Sequence, residues 1–376
     1  MNKIKSPFLW AFLIFILPLY AHSTTIKGVW ITRWDIYSQP HIEEMLDSLE
    51  KANVTDAFVQ VYGSGTAYFD SKIAPKKYTD FDPLDVFVTC AHEKGIRVHA
   101  WVNLLYMWDR QEMTDDKMHI VNRYPESVIV DDKNTSLLDY SIDRLKTRNI
   151  EGIYVSPSSE IVYDYIIFII QEIISKYNVD GIHLDYTRFP GREFIYDNNL
   201  KSDFLRKCQI NYEELSNPST EKIFGKNGAN LLKNLWLRLP KEKLNELIRN
   251  IYNDVKLANP NIQLSSAVIA DVEIAEVNYY QNWWEWLSGG YIDFVAVMAY
   301  SPSLNVLKKQ IEKINSKTTL ENVVIGLGTY NQTVLNVKAN YEALSRYPVM
   351  GFCLFSNQSI YEKRGSYSYI GSAIYK

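Results

Sequence analysis

The sequence is poor in cysteine, glycine and proline, with 3, 16 and 13 among 376 residues. Cys90, Cys208 and Cys353 are widely spaced and form no C-x-x-C pair, which excludes a disulfide framework and a cysteine-based zinc site. So little glycine and proline excludes collagen-like and low-complexity chains. A positive surplus is also missing: 40 Lys and Arg stand against 44 acidic residues, a net charge of −4. Proteins that wrap polyanions carry the opposite balance, so no nucleic-acid partner is expected. After residue 23 there is no long apolar run, and Ile161–Ile174 is broken by Tyr, Asp, Gln and Glu. What the chain does have is 47% hydrophobic and 14% aromatic residues, enough to bury a large core.

The first 23 residues stand apart. Lys3 and Lys5 precede an apolar run from Phe8 to Tyr20, and Ala21-His22-Ser23 puts small residues where a signal peptidase cuts. The expectation is a signal peptide over 1–23 and one domain over 24–376, secreted or periplasmic, with no stable membrane anchor after cleavage. No cysteine lies near the cut, so lipid attachment is not expected.

Eight short β-branched and aromatic segments read as strands: Ile26–Arg33, Ala57–Tyr62, Arg97–Leu104, Gly181–Phe189, Gln263–Asp271, Phe294–Tyr300, Val323–Tyr330 and Gly351–Ser356. They are apolar on both faces, as buried parallel strands are. Amphipathic helical stretches lie between most of them. Ile42, Met45, Leu46 and Leu49 recur at helical spacing, and Asp82-Pro83 is an N-cap followed by proline at the first helical position. Eight alternating units predict an α/β chain forming a single (β/α)8 TIM barrel. About 75 residues separate the third strand from the fourth, and a polar stretch over 191–235, without clear period, follows the fourth. Long excursions of this kind build the mouth of a site.

The most informative segment runs from Val179 to Pro190. Alternation along a strand puts His183, Asp185 and Thr187 on one face, and a carboxylate at the C-terminal end of a barrel strand sits where barrel enzymes keep catalytic groups. The plainer alternative for Asp185 is an ion pair with Arg188. The segment Asp180–Pro190 resembles the "DGIHxDYxRYP" motif of the glycoside-hydrolase-like family 10 of secreted and periplasmic bacterial proteins. Further segments are similar to that family in the same order: Gly28-Val29-Trp30, Phe58-Val59-Gln60-Val61-Tyr62, Asp82-Pro83-Leu84, His99-Ala100-Trp101-Val102-Asn103, Tyr280-Gln281-Asn282-Trp283 and Met298-Ala299-Tyr300. Two departures stand out. Tyr62 occupies a place where the family has Arg, and Asp185 is followed by Tyr186 where many members have a second acid.

The resemblance implies a barrel hydrolase of polysaccharide glycosidic bonds, with cell-wall (peptidoglycan) glycan strands as a substrate class. Such cleavage needs two carboxyl groups, one as acid and one as nucleophile or base. Asp185 fits the second role. Asp271 or Glu273, after the fifth strand, are candidates for the acid, although a strand-end acid is also a common helix N-cap; Glu193 and Asp197 are more remote candidates. The chitinase pattern DGxDxDxE does not fit, because Thr187 stands at its essential acid. No cofactor is expected. His183 and Asp185 are spaced i, i+2 as a ligand pair could be, with few further candidates, so a metal-dependent polysaccharide hydrolase or deacetylase is an alternative to the glycosidase. Sugar binding is expected of Trp30, Arg33, Gln60, Tyr62, Trp101, Asn103, His183, Tyr186, Arg188, Trp283 and Tyr300, aromatic platforms framed by planar polar groups. Trp34, Tyr106, Trp108, Tyr330, Trp284 and Trp286 are further aromatic candidates, with core packing as the alternative for many of them. The expected partner is a polysaccharide or oligosaccharide, the expected state a monomer. A carbohydrate-binding barrel that has lost catalysis is the other alternative.

Overall fold

The computed structural model describes residues 25–110, 115–362 and 366–376; the expected signal peptide lies outside them. Eight strands form the barrel: β1 (Ile26–Ile31), β2 (Asp56–Gly63), β3 (Arg97–Asn103), β4 (Gly181–Asp185), β5 (Gln263–Ile269), β6 (Phe294–Met298), β7 (Val323–Gly328) and β8 (Gly351–Phe355). All neighbours pair in parallel. β1 closes the ring by pairing with both β2 (Gly28 opposite Asp56) and β8 (Trp30 opposite Phe355). The expected TIM-barrel architecture is therefore present, built from strands close to those read in the sequence.

Each strand is buried on both faces, which explains its lack of polar alternation. The outward face packs against helices such as Gln39–Lys51, which contributes Ile42, Met45, Leu46 and Leu49, and Pro83–Glu93, whose N-terminus Asp82 caps by accepting the Leu84 and Asp85 N–H groups. The inward face forms a separate cluster of Trp30, Phe58, Trp101, Phe294 and Cys353. At the bottom of the barrel, Asp56 accepts hydrogen bonds from Arg97 (2.8 Å, twice), His99 (3.0 Å) and Thr55 (2.6 Å). Burial alone would raise its proton affinity; His99 and Arg97 outweigh it and keep the carboxylate ionised. Polar groups at the N-terminal face of a barrel serve stability.

Between β3 and β4 lies an antiparallel ribbon, Tyr106–Trp108 against Ile153–Tyr154, with short helices before the long helix Glu160–Lys176. After β4 the chain forms helix Asn198–Cys208 and then a helix over Pro218–Ala258 that breaks at Gly225, where φ is +66°. The stretch over 191–235, which lacked a sequence period, is thus largely helical. Asp197 starts its first helix by accepting the Asn199 and Leu200 N–H groups, and that helix buries Leu200 and Phe204. No helix among the described residues is long and apolar enough to cross a membrane.

Candidate active site

The C-terminal ends of the strands enclose a cavity of about 400 Å³, with Asp185 among its lining residues. Asp185 is the last residue of β4. Its carbonyl accepts the Leu104 N–H at 2.8 Å and its Oδ1 accepts the Tyr186 N–H at 2.6 Å. Tyr186 is left-handed, with φ +53°, an uncommon conformation for a bulky residue. That turn ends the strand and folds the Tyr186 N–H back onto the preceding carboxylate. The Tyr186 ring stacks on Tyr106 at 4.5 Å. Asp185 is only 8% exposed. Burial pushes its pKa up to about 6, although the Tyr186 N–H, Arg188 and Trp101 favour the ionised form; the charge of Glu151 adds to the rise.

Glu151 lines the same cavity from the loop before the ribbon strand Ile153–Tyr154. Its Oε1 accepts from Arg188 Nη2 at 2.9 Å and its Oε2 accepts from the Tyr154 hydroxyl at 2.7 Å. Desolvation raises its proton affinity, but Arg188 and Tyr154 outweigh it and hold the carboxyl below its ordinary pKa. Arg188 lies against the Tyr186 and Tyr279 rings, 4.9 and 5.1 Å from their centroids. The cavity therefore holds two carboxyls displaced in opposite directions, the pattern that separates an acid from a base.

The walls are aromatic and amide. On one side a chain of hydrogen bonds runs from Arg33 Nη1 to Gln60 Oε1 (3.1 Å), from Gln60 Nε2 to Asn103 Oδ1 (3.2 Å) and from Trp101 Nε1 to the same Asn103 oxygen (3.0 Å). Each amide oxygen is thereby satisfied inside the wall, and the buried Gln60 and Asn103 have the partners that their position demands. On the other side Tyr300 stacks on Phe355 (5.2 Å) and meets Trp30 edge-on (6.2 Å).

Of the residues expected at the site, Trp30, Arg33, Gln60, Trp101, Asn103, Tyr186, Arg188 and Tyr300 line the cavity with Asp185. Five other expected site residues lie elsewhere. Asp271 caps helix Val272–Tyr279 by accepting the Glu273 and Ile274 N–H groups, and Glu273 points outward to Lys313 at 2.8 Å. The strand-end acid was thus a cap. Tyr62 is fully buried with its hydroxyl toward Met107, and the fully buried Trp283 donates to the Ile269 carbonyl at 3.0 Å. His183 is sealed inside the barrel. Its Nε2 accepts the Trp30 indole N–H at 3.0 Å, so its proton is on Nδ1, which donates to Ser265 at 2.8 Å. Burial, with some help from His99, holds it neutral. The lone pair that a metal would need is taken by Trp30, so His183 and Asp185 do not form the ligand pair considered from sequence. No group of three or more metal-type side chains occurs among the described residues. Glu151 was missed. The excursion that carries it was expected to build the mouth, but nothing around Glu151 in sequence marks it.

A family model described as Glycosyl hydrolase-like 10 matches residues 25–342. Glycosyl hydrolase DigH of Escherichia coli strain K12 is 24% identical over 287 residues, covering 69% of this chain and 57% of that protein. Glycosyl hydrolase YngK of Bacillus subtilis strain 168 is 19% identical over 285 residues, 68% of this chain and 48% of its own length. The chain thus spans about half the length of these curated relatives. Among solved structures, the glycoside hydrolase domain of PgaB (BpsB) from Bordetella bronchiseptica superposes with a TM-score of 0.70 at 12% identity, covering 93% of this chain and 99% of that one. The catalytic domain of β-amylase from Paenibacillus polymyxa gives 0.58 at 11% identity, with 93% and 97% covered. With its family pattern running through all but the last strand of the barrel, this chain belongs to the Glycosyl hydrolase-like 10 family.

Proposed function

We propose that this protein hydrolyses glycosidic bonds in a polysaccharide, with Asp185 as the proton donor and Glu151 as the ionised partner. The observation that carries this reading is the opposite displacement of the two carboxyls in one aromatic-walled cavity. Asp185 retains its proton up to about pH 6 and lines the cavity that would receive the sugar. In the reaction the C–O bond to the leaving sugar breaks, the Asp185 proton passes to that oxygen, and water supplies hydroxide to the anomeric carbon. Glu151 stabilises the developing positive charge or takes the water proton. This reverses the nucleophile or base role that position alone suggested for Asp185, because burial favours its protonated form. Trp101, Tyr186 and Tyr300 offer apolar faces to the sugar, with Trp30 packed behind Tyr300, and Arg33 and Arg188 offer donors to its hydroxyls.

Peptide-free cell-wall glycan strands are the first substrate to test, followed by α- and β-glucans. The Lys3, Lys5 and Phe8–Tyr20 pattern supports a reaction outside the cytoplasm, which N-terminal sequencing of exported protein checks. The assay is release of reducing ends by wild type, Asp185→Asn and Glu151→Gln. Cleavage by wild type and none by Asp185→Asn, with glycan binding retained, is the expected result; near-normal turnover by Asp185→Asn would sink the assignment. One feature favours a second reading, a carbohydrate-binding barrel without turnover: both Glu151 oxygens are engaged, by Arg188 and Tyr154. Binding without cleavage of any substrate would establish it.

A further inference from the structure

Two large rings on the β1 loop are left in solvent: Trp34 is 56% and Tyr37 53% exposed. Trp34 belongs to the cavity rim, with the Arg33 guanidinium 4.5 Å from its ring centroid. Tyr37 belongs to a second hollow of about 520 Å³, formed where the β1 loop faces the loop after β2. Both loops leave the C-terminal ends of their strands, so the hollow opens on the same face of the barrel as the cavity. We infer that the binding site continues from the cavity across Trp34 into this hollow, as a groove for additional sugar units of a long glycan chain. The inference rests on the proposed glycan substrate and goes beyond it, because it makes chain length a determinant of recognition.

A line of rings joins the two spaces. Trp34 meets Tyr68 edge-on at 6.4 Å, Tyr68 meets Tyr78 edge-on at 6.1 Å, and Tyr78 meets Phe81 at 5.8 Å. Tyr68 is 3% exposed and its hydroxyl engages Arg33, so the centre of this line is fixed to the cavity wall. Tyr37, Tyr78 and Phe81 line the hollow with Ser38, Gln39 and Thr79. Flat rings beside short hydroxyl and amide groups match a pyranose, which has apolar C–H faces and a polar equator. The hollow's two charged residues, Lys77 and Asp80, are opposite in sign, so the hollow carries no surplus of either charge. Its volume is in the range of small-ligand sites.

The test uses Asp185→Asn as a background that binds without turnover. Titration calorimetry with size-fractionated, peptide-free cell-wall glycan strands, and with β-glucan oligomers as a second probe, reads affinity against chain length. The expected result is affinity that rises with length, and a loss of about two- to tenfold for the longest strands in Trp34→Ala and in Tyr37→Ala, the worth of one aromatic contact. Tyr37→Trp should restore the affinity. Both positions are exposed, so melting temperatures should stay within a degree or two of the parent. Affinity independent of length, or unchanged in both variants, overturns the groove even if wild type cleaves glycan. A length dependence abolished by the variants, with no cleavage by wild type, sinks the hydrolase reading and leaves the groove standing. If neither probe binds at any length, both fall.

Discussion

Keeping Asp185 where it is should cost stability, and the cost can be worked out. The carboxyl's proton affinity rises from an ordinary 3.8 to about 6 on folding, chiefly through burial. At about 1.4 kcal/mol per tenfold change in proton affinity, the folded state loses about 3 kcal/mol once the group ionises. A carboxyl raised in the folded state contributes nothing unfavourable below pH 3.8, where both states are protonated. The penalty grows as pH rises from about 4 to 6 and is complete above. Asp185→Asn keeps the shape and the oxygen that accepts the Tyr186 N–H but cannot ionise. The variant should therefore match wild type near pH 3.5 and exceed it by about 3 kcal/mol at pH 7.5. For a chain of this size that is about 4 °C in Tm. Chemical denaturation of both proteins across this range, read as a difference so that all other titrations cancel, is the assay. A difference that stays flat between pH 4 and 7 would refute the reasoning, because it would mean the carboxyl is not desolvated. Coupled with loss of turnover, the predicted gain would identify Asp185 as a residue that trades stability for chemistry.

Glu151→Gln should move the pH profile as well as lower the rate. Removing its charge takes away one cause of the raised Asp185 pKa and leaves Arg188, whose side chain is 10% exposed, without its anionic partner. Both changes favour ionised Asp185, so the high-pH limb of kcat/KM should shift to lower pH; an unshifted limb would separate the two carboxyls functionally. Gly326→Ala places a Cβ 2.7 Å from the Trp30 ring and 2.7 Å from the Val297 carbonyl. The backbone cannot yield, so the variant should lose about 1–3 kcal/mol in denaturant melts and bind glycan more weakly as Trp30 is displaced. Asp271→Ala should cost about 1 kcal/mol of stability through the lost cap with kcat within twofold of wild type; a loss of kcat beyond tenfold would return Asp271 to the candidate acids.

The barrel was legible because its strands are written as continuous apolar runs, and a run such as Val323–Gly328 has one way to be buried on both faces. The same property hid which strand residues reach the mouth. His183, Asp185 and Thr187 share a face, yet only Asp185 opens on the cavity, because the strand ends there and the left-handed Tyr186 turns the chain. His183, two residues earlier, lies one layer deeper, where Trp30 and Ser265 consume both of its nitrogens. Depth along the barrel axis is set by where each strand begins relative to its neighbours, and no periodicity within one strand records that.

Glu151 was illegible for a different reason. Its position depends on a ribbon of two and three residues, too short to leave a pattern, and on a tertiary partner: Arg188 sits three residues beyond Asp185, packed against Tyr186 and Tyr279, and reaches across to Glu151. The alternative considered from sequence paired Arg188 with Asp185 instead. Had it formed, Asp185 would be held ionised and could not serve as an acid. Because Arg188 makes its direct ion pair with the carboxylate of the excursion, burial outweighs the groups that favour ionised Asp185, and the acid is made by where its neighbouring cation goes.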